Sequence, residues 1–350
     1  MAKSSDYYKE LREQKKIKLR ELESQLPRYC LDYLDEKELT SQINTVISYA
    51  YDLITFMKFL IDQNPLCKGL EPKDISLELL DGLTFHDINE YQKFLSLSCS
   101  KENPHENAEN GIARRMSALR GFYKFACQHE YLKNNPTLGA AKRPKRKKDA
   151  IIRMESDEVH NMLNTVKSSN MKSERQKKFC EKNQQRDTAI LTLFLNTGMR
   201  VSELVGLDIK SLNFSQNTVY VIRKGGKSNI LYFNEHVAET LKDYIDGERA
   251  SLLGPNAEEQ ALFLSNRKQR MCVKAVENVV KKFAQEAVPD KHITPHKLRS
   301  TYGTALYRET GDIKLVADVL GHEDVNTTNK YYAASEEEHR KMAAKIKVYE

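Results

Sequence analysis

The front of the chain repeats an apolar residue every three or four positions, the period of a helix with one buried face. Across Thr40 to Leu60 the stripe is Ile43, Val46, Ile47, Ala50, Tyr51, Ile54 and Met57. Asp87 to Leu97 predicts a second helix. Ala108 to His129 predicts a third, with Ile112, Met116, Leu119, Tyr123 and Ala126 on one face and Arg115, Arg120 and Lys124 on its more polar surface. The pattern fails near Leu132. Asn134-Asn135-Pro136 stops the helix there, because proline disfavours helical backbone in the residue before it. This half reads as all-α.

The back half has a different rhythm. Asp187 to Asn196 is an apolar helix that ends at Thr197-Gly198. Thr218 to Arg223 and Ser228 to Phe233 are short runs of β-branched and aromatic residues around Lys224-Gly225-Gly226-Lys227, and a glycine pair between two such runs predicts a tight antiparallel hairpin. Thr294-Pro295 opens another helix, threonine as cap and proline in the first turn. Asp312 to Leu320 is a helix closed by Gly321. Ser335-Glu336-Glu337-Glu338 has the form of a capping box, and His339, Met342, Ala343 and Ile346 follow as a narrow apolar stripe. The whole is α+β, mainly helical with a small antiparallel sheet.

Charge separates the halves. Lys142-Arg143-Pro144-Lys145-Arg146-Lys147-Lys148 places six cations around one proline, a density that repels itself and predicts an extended linker. A nuclear-localisation tract is the usual alternative reading of such a run. Lys167 to Arg186 is a second basic stretch, read as an exposed loop or helix extension without assigned chemistry. At 350 residues the chain is long enough for two domains with separate cores, and its net charge of +7 favours a polyanionic partner without requiring one. The six cysteines (Cys30, Cys67, Cys99, Cys127, Cys180, Cys272) are scattered with no C-x-x-C pair, which argues against a zinc ribbon or disulfide framework and suits a reducing cytosol. The first residues, Met1 to Lys18, are charged throughout, and no run of about 18 apolar residues occurs, so no membrane span is predicted.

The candidate chemistry is concentrated in the last 150 residues or so. Arg200 lies in T-G-M-R-V-S-E-L, Lys224 in R-K-G-G-K, His296 and Arg299 in P-H-K-L-R, His322 in L-G-H-E-D and Tyr331 in N-T-T-N-K-Y. A phosphodiester gains negative charge in its pentavalent transition state. Arginine suits it, because its planar fork stays charged and bonds two oxygens at once. His296 and Arg299 are three apart on one predicted helix and so share a face. A tyrosine phenol titrates near pH 10, so a nucleophilic tyrosine needs a nearby base or a strongly positive pocket. Zinc is a competing use of the histidines. His292 and His296 are four apart, but Ile293 stands where a zincin carries glutamate and Pro295 interrupts the spacing, so no metal is predicted.

These six residues in this order resemble the tyrosine recombinase (phage integrase) family, and within it the simple two-domain Xer-like members, over roughly residues 25 to 350. The resemblance implies an N-terminal all-α core-binding (SAM-like) domain that clamps one face of DNA, and a catalytic domain on the other. It divides the chain into a helical extension (1–24), a core-binding domain (25–136), a basic linker (137–152), a catalytic domain (153–334) and a terminal helix for docking between protomers (335–350). Arg200 and Arg299 would clamp the phosphate, His296 would act as base and His322 would hydrogen-bond the phosphate. Tyr331, nine residues after His322, would be the nucleophile, with its neighbour Tyr332 as the alternative. Lys224 would be the general acid, with Lys227 on the same loop as a substitute.

Glu203 matches the family's acidic residue that orients the site, though it could equally be a plain ion pair with Arg200. Ser300 departs from the histidine or arginine usual after the second arginine; it is not one of the six. Arg115, Arg120, Lys124, Lys142, Arg143, Lys145 and Arg146 are the expected DNA contacts. The implied activity is site-specific recombination through a 3′-phosphotyrosyl intermediate and a Holliday junction, with no cofactor. Its purpose would be resolving chromosome dimers or moving an element. The implied assembly is a homotetramer on two duplex sites with inverted half-sites, cytoplasmic and at the nucleoid. A relaxing topoisomerase of the same chemistry and a non-catalytic DNA-binding regulator of the same fold are the rival readings.

Overall fold

The computed structural model of the chain describes residues 6–102, 107–141, 152–168, 174–223, 226–254 and 259–321, and its backbone forms two compact units, 1–146 and 147–350. The first unit is helical: α1 (Asp6–Glu23), α2 (Arg28–Thr40), α3 (Ile43–Gln63), α4 (Leu77–Asp81), α5 (Phe85–Glu102) and α6 (Asn107–Gln128). The third helix is its axis, packed by α1, α2, α5 and α6. All five apolar residues expected on one face of α6 are buried, because the stripe falls on a single side of a 22-residue helix. Leu19 and Leu22 of α1 enter the same core, beside the buried rings of Tyr33, Phe56, Tyr91, Phe122 and Tyr123.

The stripe expected on α3 needs correction. Tyr51 is 45% exposed, while the next residue, Asp52, is 3% exposed. So many neighbours cover α3 that its buried arc also takes in Leu53, Phe56, Phe59 and Leu60, which displaces Tyr51 to the rim. The buried Asp52 carboxylate is held by both arms of Arg114, at 2.6 and 2.8 Å. A charge so far from water is tolerated only when paired and hydrogen-bonded.

The second unit holds α7 (Ser156–Ser168), α8 (Glu174–Lys182), α9 (Gln184–Thr197), α10 (Val201–Val205), α11 (Glu235–Tyr244), α12 (Ala250–Leu253), α13 (Val273–Ala287), α14 (Pro295–Thr310) and α15 (Ile313–Leu320). Here α9 is the axis, with α7, α11, α13 and α14 packed around it. It is buried continuously from Arg186 to Phe194, which is why Ala189 to Phe194 carries apolar residues on adjacent faces and not in a single stripe. The basic stretch that ends at Arg186 is therefore not wholly exposed. Arg186 lies 5% exposed against Asp187, and Lys282 from α13 reaches the other oxygen of Asp187 at 2.8 Å.

The predicted hairpin is present, each strand one residue shorter than expected: β2 (Thr218–Ile222) pairs antiparallel with β3 (Ser228–Tyr232). Val219 and Val221 face the core and Tyr220 lies opposite Ile230. A two-residue strand, β1 (Leu212–Asn213), pairs with β2 on its other side and completes the sheet order β1-β2-β3. The expected linker cations and terminal helix lie outside the described residues. Among those described, no helix is long and apolar enough to cross a membrane.

Candidate functional site

The site begins where α9 stops. Gly198 takes φ 60°, the left-handed conformation that closes a helix, and the chain turns into Arg200, the extended residue ahead of α10. Glu203, one turn into α10 and 2% exposed, accepts from the Arg200 backbone N–H at 2.8 Å and from its Nη1 at 2.9 Å. Both carboxylate oxygens thus serve one arginine, fixing its backbone and its side chain together. The Arg200 side chain is a third exposed, and its Nη2 donates to the Gly321 carbonyl at 3.2 Å.

Arg299 arrives from α14. The Thr294 hydroxyl accepts from the Lys297 N–H, and Pro295 occupies the first turn, as the sequence predicts. His296 is exposed in that first turn, and Arg299 lies one turn deeper at 3% exposed. Its Nη1 donates to the Gly198 carbonyl at 2.5 Å, and its Nη2 donates to the Leu320 carbonyl. Arg200 and Arg299, from separate helices, therefore meet on adjacent carbonyls at the C-terminal end of α15. That end carries negative partial charge and favours cations. Gly321, at φ 63°, closes α15, and the next residue in the chain is His322.

A third guanidinium shares this helix end. Arg223, directly after β2, donates from Nη2 to the Val319 carbonyl at 2.7 Å. Burial pulls its pKa down; nearby Glu203 pulls it up, and Arg200 lowers it further. In the sequence Arg223 is only the last residue of a predicted strand, with no role expected. Its position beside a predicted catalytic lysine and a glycine pair was the available signal.

The remaining expected residues fall in several places. Lys224, His322, Tyr331, Tyr332, Lys142, Arg143, Lys145 and Arg146 lie outside the described residues. Lys227 is exposed, and its carbonyl closes the hairpin by accepting from the Arg223 N–H at 2.7 Å. On α6, Lys124 is exposed and Arg120 half-buried, while Arg115 turns its Nε to within 3.9 Å of Asp52. Ser300 is 2% exposed inside α14. His292 precedes the Thr294 cap, so it and His296 do not share a helix. Among the described residues, no group of three or more His, Cys, Asp or Glu is placed to hold a metal ion.

Comparison with known proteins matches both units. A model described as "Phage integrase family" matches residues 152–339, and one described as "Phage integrase SAM-like domain" matches residues 7–143. The chain is 31% identical over 297 residues to the tyrosine recombinase XerC of Caldanaerobacter subterraneus subsp. tengcongensis, covering 82% of this chain and 77% of that protein. It is 32% identical over 235 residues to the tyrosine recombinase XerD of Staphylococcus epidermidis, covering 67% of this chain and 75% of that protein. Among solved structures, the XerH site-specific recombinase bound to a palindromic difH substrate in a post-cleavage complex superimposes with a TM-score of 0.63. It is 19% identical and the match covers 89% of this chain and 82% of that one, a likeness of fold.

Proposed function

This chain belongs to the phage integrase family and is a tyrosine-class site-specific DNA recombinase; on that footing we propose that Arg200, Lys224, His296, Arg299, His322 and Tyr331 form its active site. The observation that carries the assignment is the meeting of Arg200 and Arg299 on the adjacent carbonyls of Gly321 and Leu320, immediately before His322. Four described features of the second unit converge there: the α9 cap, the start of α10, the buried turn of α14 and the end of α15.

In the proposed reaction the scissile phosphate of duplex DNA lies against the two guanidiniums. Tyr331 attacks phosphorus as its phenol proton passes to His296. The bond to the 5′ oxygen breaks, and that oxygen leaves as a hydroxyl with a proton from Lys224. A 3′-phosphotyrosyl link remains. Attack by a 5′ hydroxyl from a second duplex reverses the step and joins strands from two sites through a Holliday junction. The covalent link conserves the energy of the phosphodiester, so the chemistry calls for no nucleotide cofactor. Removing one preorganised charge donor from such a site costs roughly 100- to 1000-fold in rate. Glu203 supports Arg200 and does not touch the phosphate.

The partner is double-stranded DNA. Four copies would act on two sites of inverted half-sites, linked by the terminal segment 335–350, in the cytoplasm at the nucleoid. The exposed Lys124 and the linker cations Lys142, Arg143, Lys145 and Arg146 would follow the phosphate backbone.

Covalent trapping on a nicked duplex tests the assignment, with substrate drawn from DNA that the protein retains. The wild type is expected to give a protein–DNA adduct that Tyr331→Phe abolishes and Tyr332→Phe keeps. Loss only in Tyr332→Phe would move the nucleophile by one residue. No adduct from a wild type that binds its site would mean a non-catalytic member of the fold.

A further inference from the structure

Three arginines take three successive carbonyls at one helix end: Arg223 on Val319, Arg299 on Leu320 and Arg200 on Gly321. Only the second and third have a place in the reaction above. We propose that Arg223 is a positioning residue for the phosphate clamp, tying the end of α15 to the hairpin so that Arg200 and Arg299 keep their aim. The proposal rests on the reading of Arg200 and Arg299 as that clamp.

Each clamp arginine has one arm fixed by an α15 carbonyl, so the direction of its fork follows the position of that helix end. Arg299 has a second anchor at Gly198 and Arg200 a second anchor at Glu203, both near the end of α9. Neither bond ties α15 to the sheet; the Arg223 side chain supplies that tie. Its own backbone closes the hairpin, the N–H donating to the Lys227 carbonyl at 2.7 Å and the carbonyl accepting from the Gly226 N–H at 3.1 Å. The side chain is thus rooted at a residue whose N–H and carbonyl are both hydrogen-bonded within the β2–β3 connection.

Room has been left for it. A Cβ placed on Gly321 would meet the Arg223 Nη1 at 1.8 Å, far inside contact distance, so the Arg223 side chain takes this rotamer only while residue 321 lacks a side chain. The same glycine supplies the positive φ that ends α15. Among the described residues the Arg223 Nε is buried without a hydrogen-bond partner, a cost that a mere helix cap, free to choose its rotamer in water, would avoid. Its charge is also set beside that of Arg200, with Glu203 between them in electrostatic terms. Removing Arg223 therefore loosens the helix end and removes a positive charge from the site at once.

Arg223→Ala, Arg223→Lys and Arg200→Ala would be compared with wild type in the full-length protein. Three quantities are needed: thermal melting, affinity for the nicked duplex, and the first-order rate of adduct formation at saturating protein. Arg223→Ala is expected to bind DNA within about threefold of wild type, because its side chain faces the helix end. Its adduct rate should fall about 100-fold, the cost of misplacing catalytic groups by roughly 1 Å. Arg223→Lys, able to reach the same carbonyl with one donor, should recover about tenfold of that loss. A further comparison places Arg223→Ala in an Arg200→Lys background, where its cost should shrink if it acts through Arg200.

An Arg223→Ala rate equal to wild type would overturn the proposal. So would a rate loss matched by an equal loss of melting temperature and not relieved in Arg223→Lys, which is the signature of a cap alone. Were Arg223→Ala to misfold, an Arg223→Lys rate about 100-fold below wild type despite normal melting would likewise refute it, since one restored donor should restore aim. If Arg200→Ala reacts like wild type, the clamp reading itself fails, whatever Arg223 does.

Discussion

Two buried carboxylates, Asp52 and Glu203, are each held by arginine, and their surroundings set them to different tasks. Glu203 gives both oxygens to Arg200 beside the proposed phosphate site. Asp52 lies in the core of the first unit, where burial pushes its carboxyl up to about 6, against the opposing pull of Arg114 and Arg115. Because the folded-state value is raised above the ordinary 3.8, the neutral acid is favoured by folding. The contribution to stability is fully present below about pH 4 and is lost as pH rises through about 6. Denaturant melts of wild type and Asp52→Asn across pH 4 to 7 should show the wild-type advantage falling by about 2 kcal/mol over that window. A growing advantage would mean that pairing with Arg114 outweighs burial. Neither residue's burial was legible from its own neighbours in sequence. Asp52 sits among apolar residues only because Arg114, 62 positions later, comes back to it. Arg223 reads only as the end of a strand because the carbonyl it binds is 96 residues away.

At the scale of elements, the periodic signals held where one face alone is buried. The α6 stripe and the β2–β3 hairpin emerged almost residue for residue, since each pattern reports a single environment. Where neighbours lie all round, the helix was legible and the reach of its burial was not: α9 begins at Gln184, three residues earlier than expected, and α3 is buried over most of its girth. A strand of two residues such as β1 carries no period at all. Helix ends were legible because their chemistry is local, as at Thr294, Gly198 and Gly321. The second of these is also a point of close approach. A Cβ on Gly198 would stand 2.4 Å from the Tyr302 ring and 2.9 Å from Leu320, in a backbone conformation that side chains resist. Gly198→Ala should therefore destabilise the protein by about 2 to 4 kcal/mol in a urea melt, joining left-handed strain to overpacking. A change below about 0.5 kcal/mol, the usual range of surface substitutions, would show that α14 and α15 can shift aside.

For the whole molecule, two units of unlike composition joined by a basic run were legible because composition and charge change along the chain. The six residues proposed for the active site are named from sequence order alone, while the geometry that joins Arg200 to Arg299 was not legible, since no local pattern records a contact across a fold. The basic run has its own test. If Lys142, Arg143, Lys145 and Arg146 each lie on a phosphate, replacing all four with glutamine should make the slope of log affinity against log salt shallower by about 3 to 4. An unchanged slope, measured by titration between 50 and 200 mM salt, would place that run away from the DNA.

The shared carbonyls at the end of α15 also bear on how the protein is made. Arg200 leaves the ribosome 121 residues before the carbonyl that fixes it. At a synthesis rate of roughly 5 to 20 residues per second, about 6 to 24 seconds pass in which that arginine has Glu203 beside it but not its carbonyl on α15. Tyr331 follows later still. With Tyr331 as the proposed nucleophile, a truncated chain that ends before it is expected to bind DNA through its cations and to form no adduct.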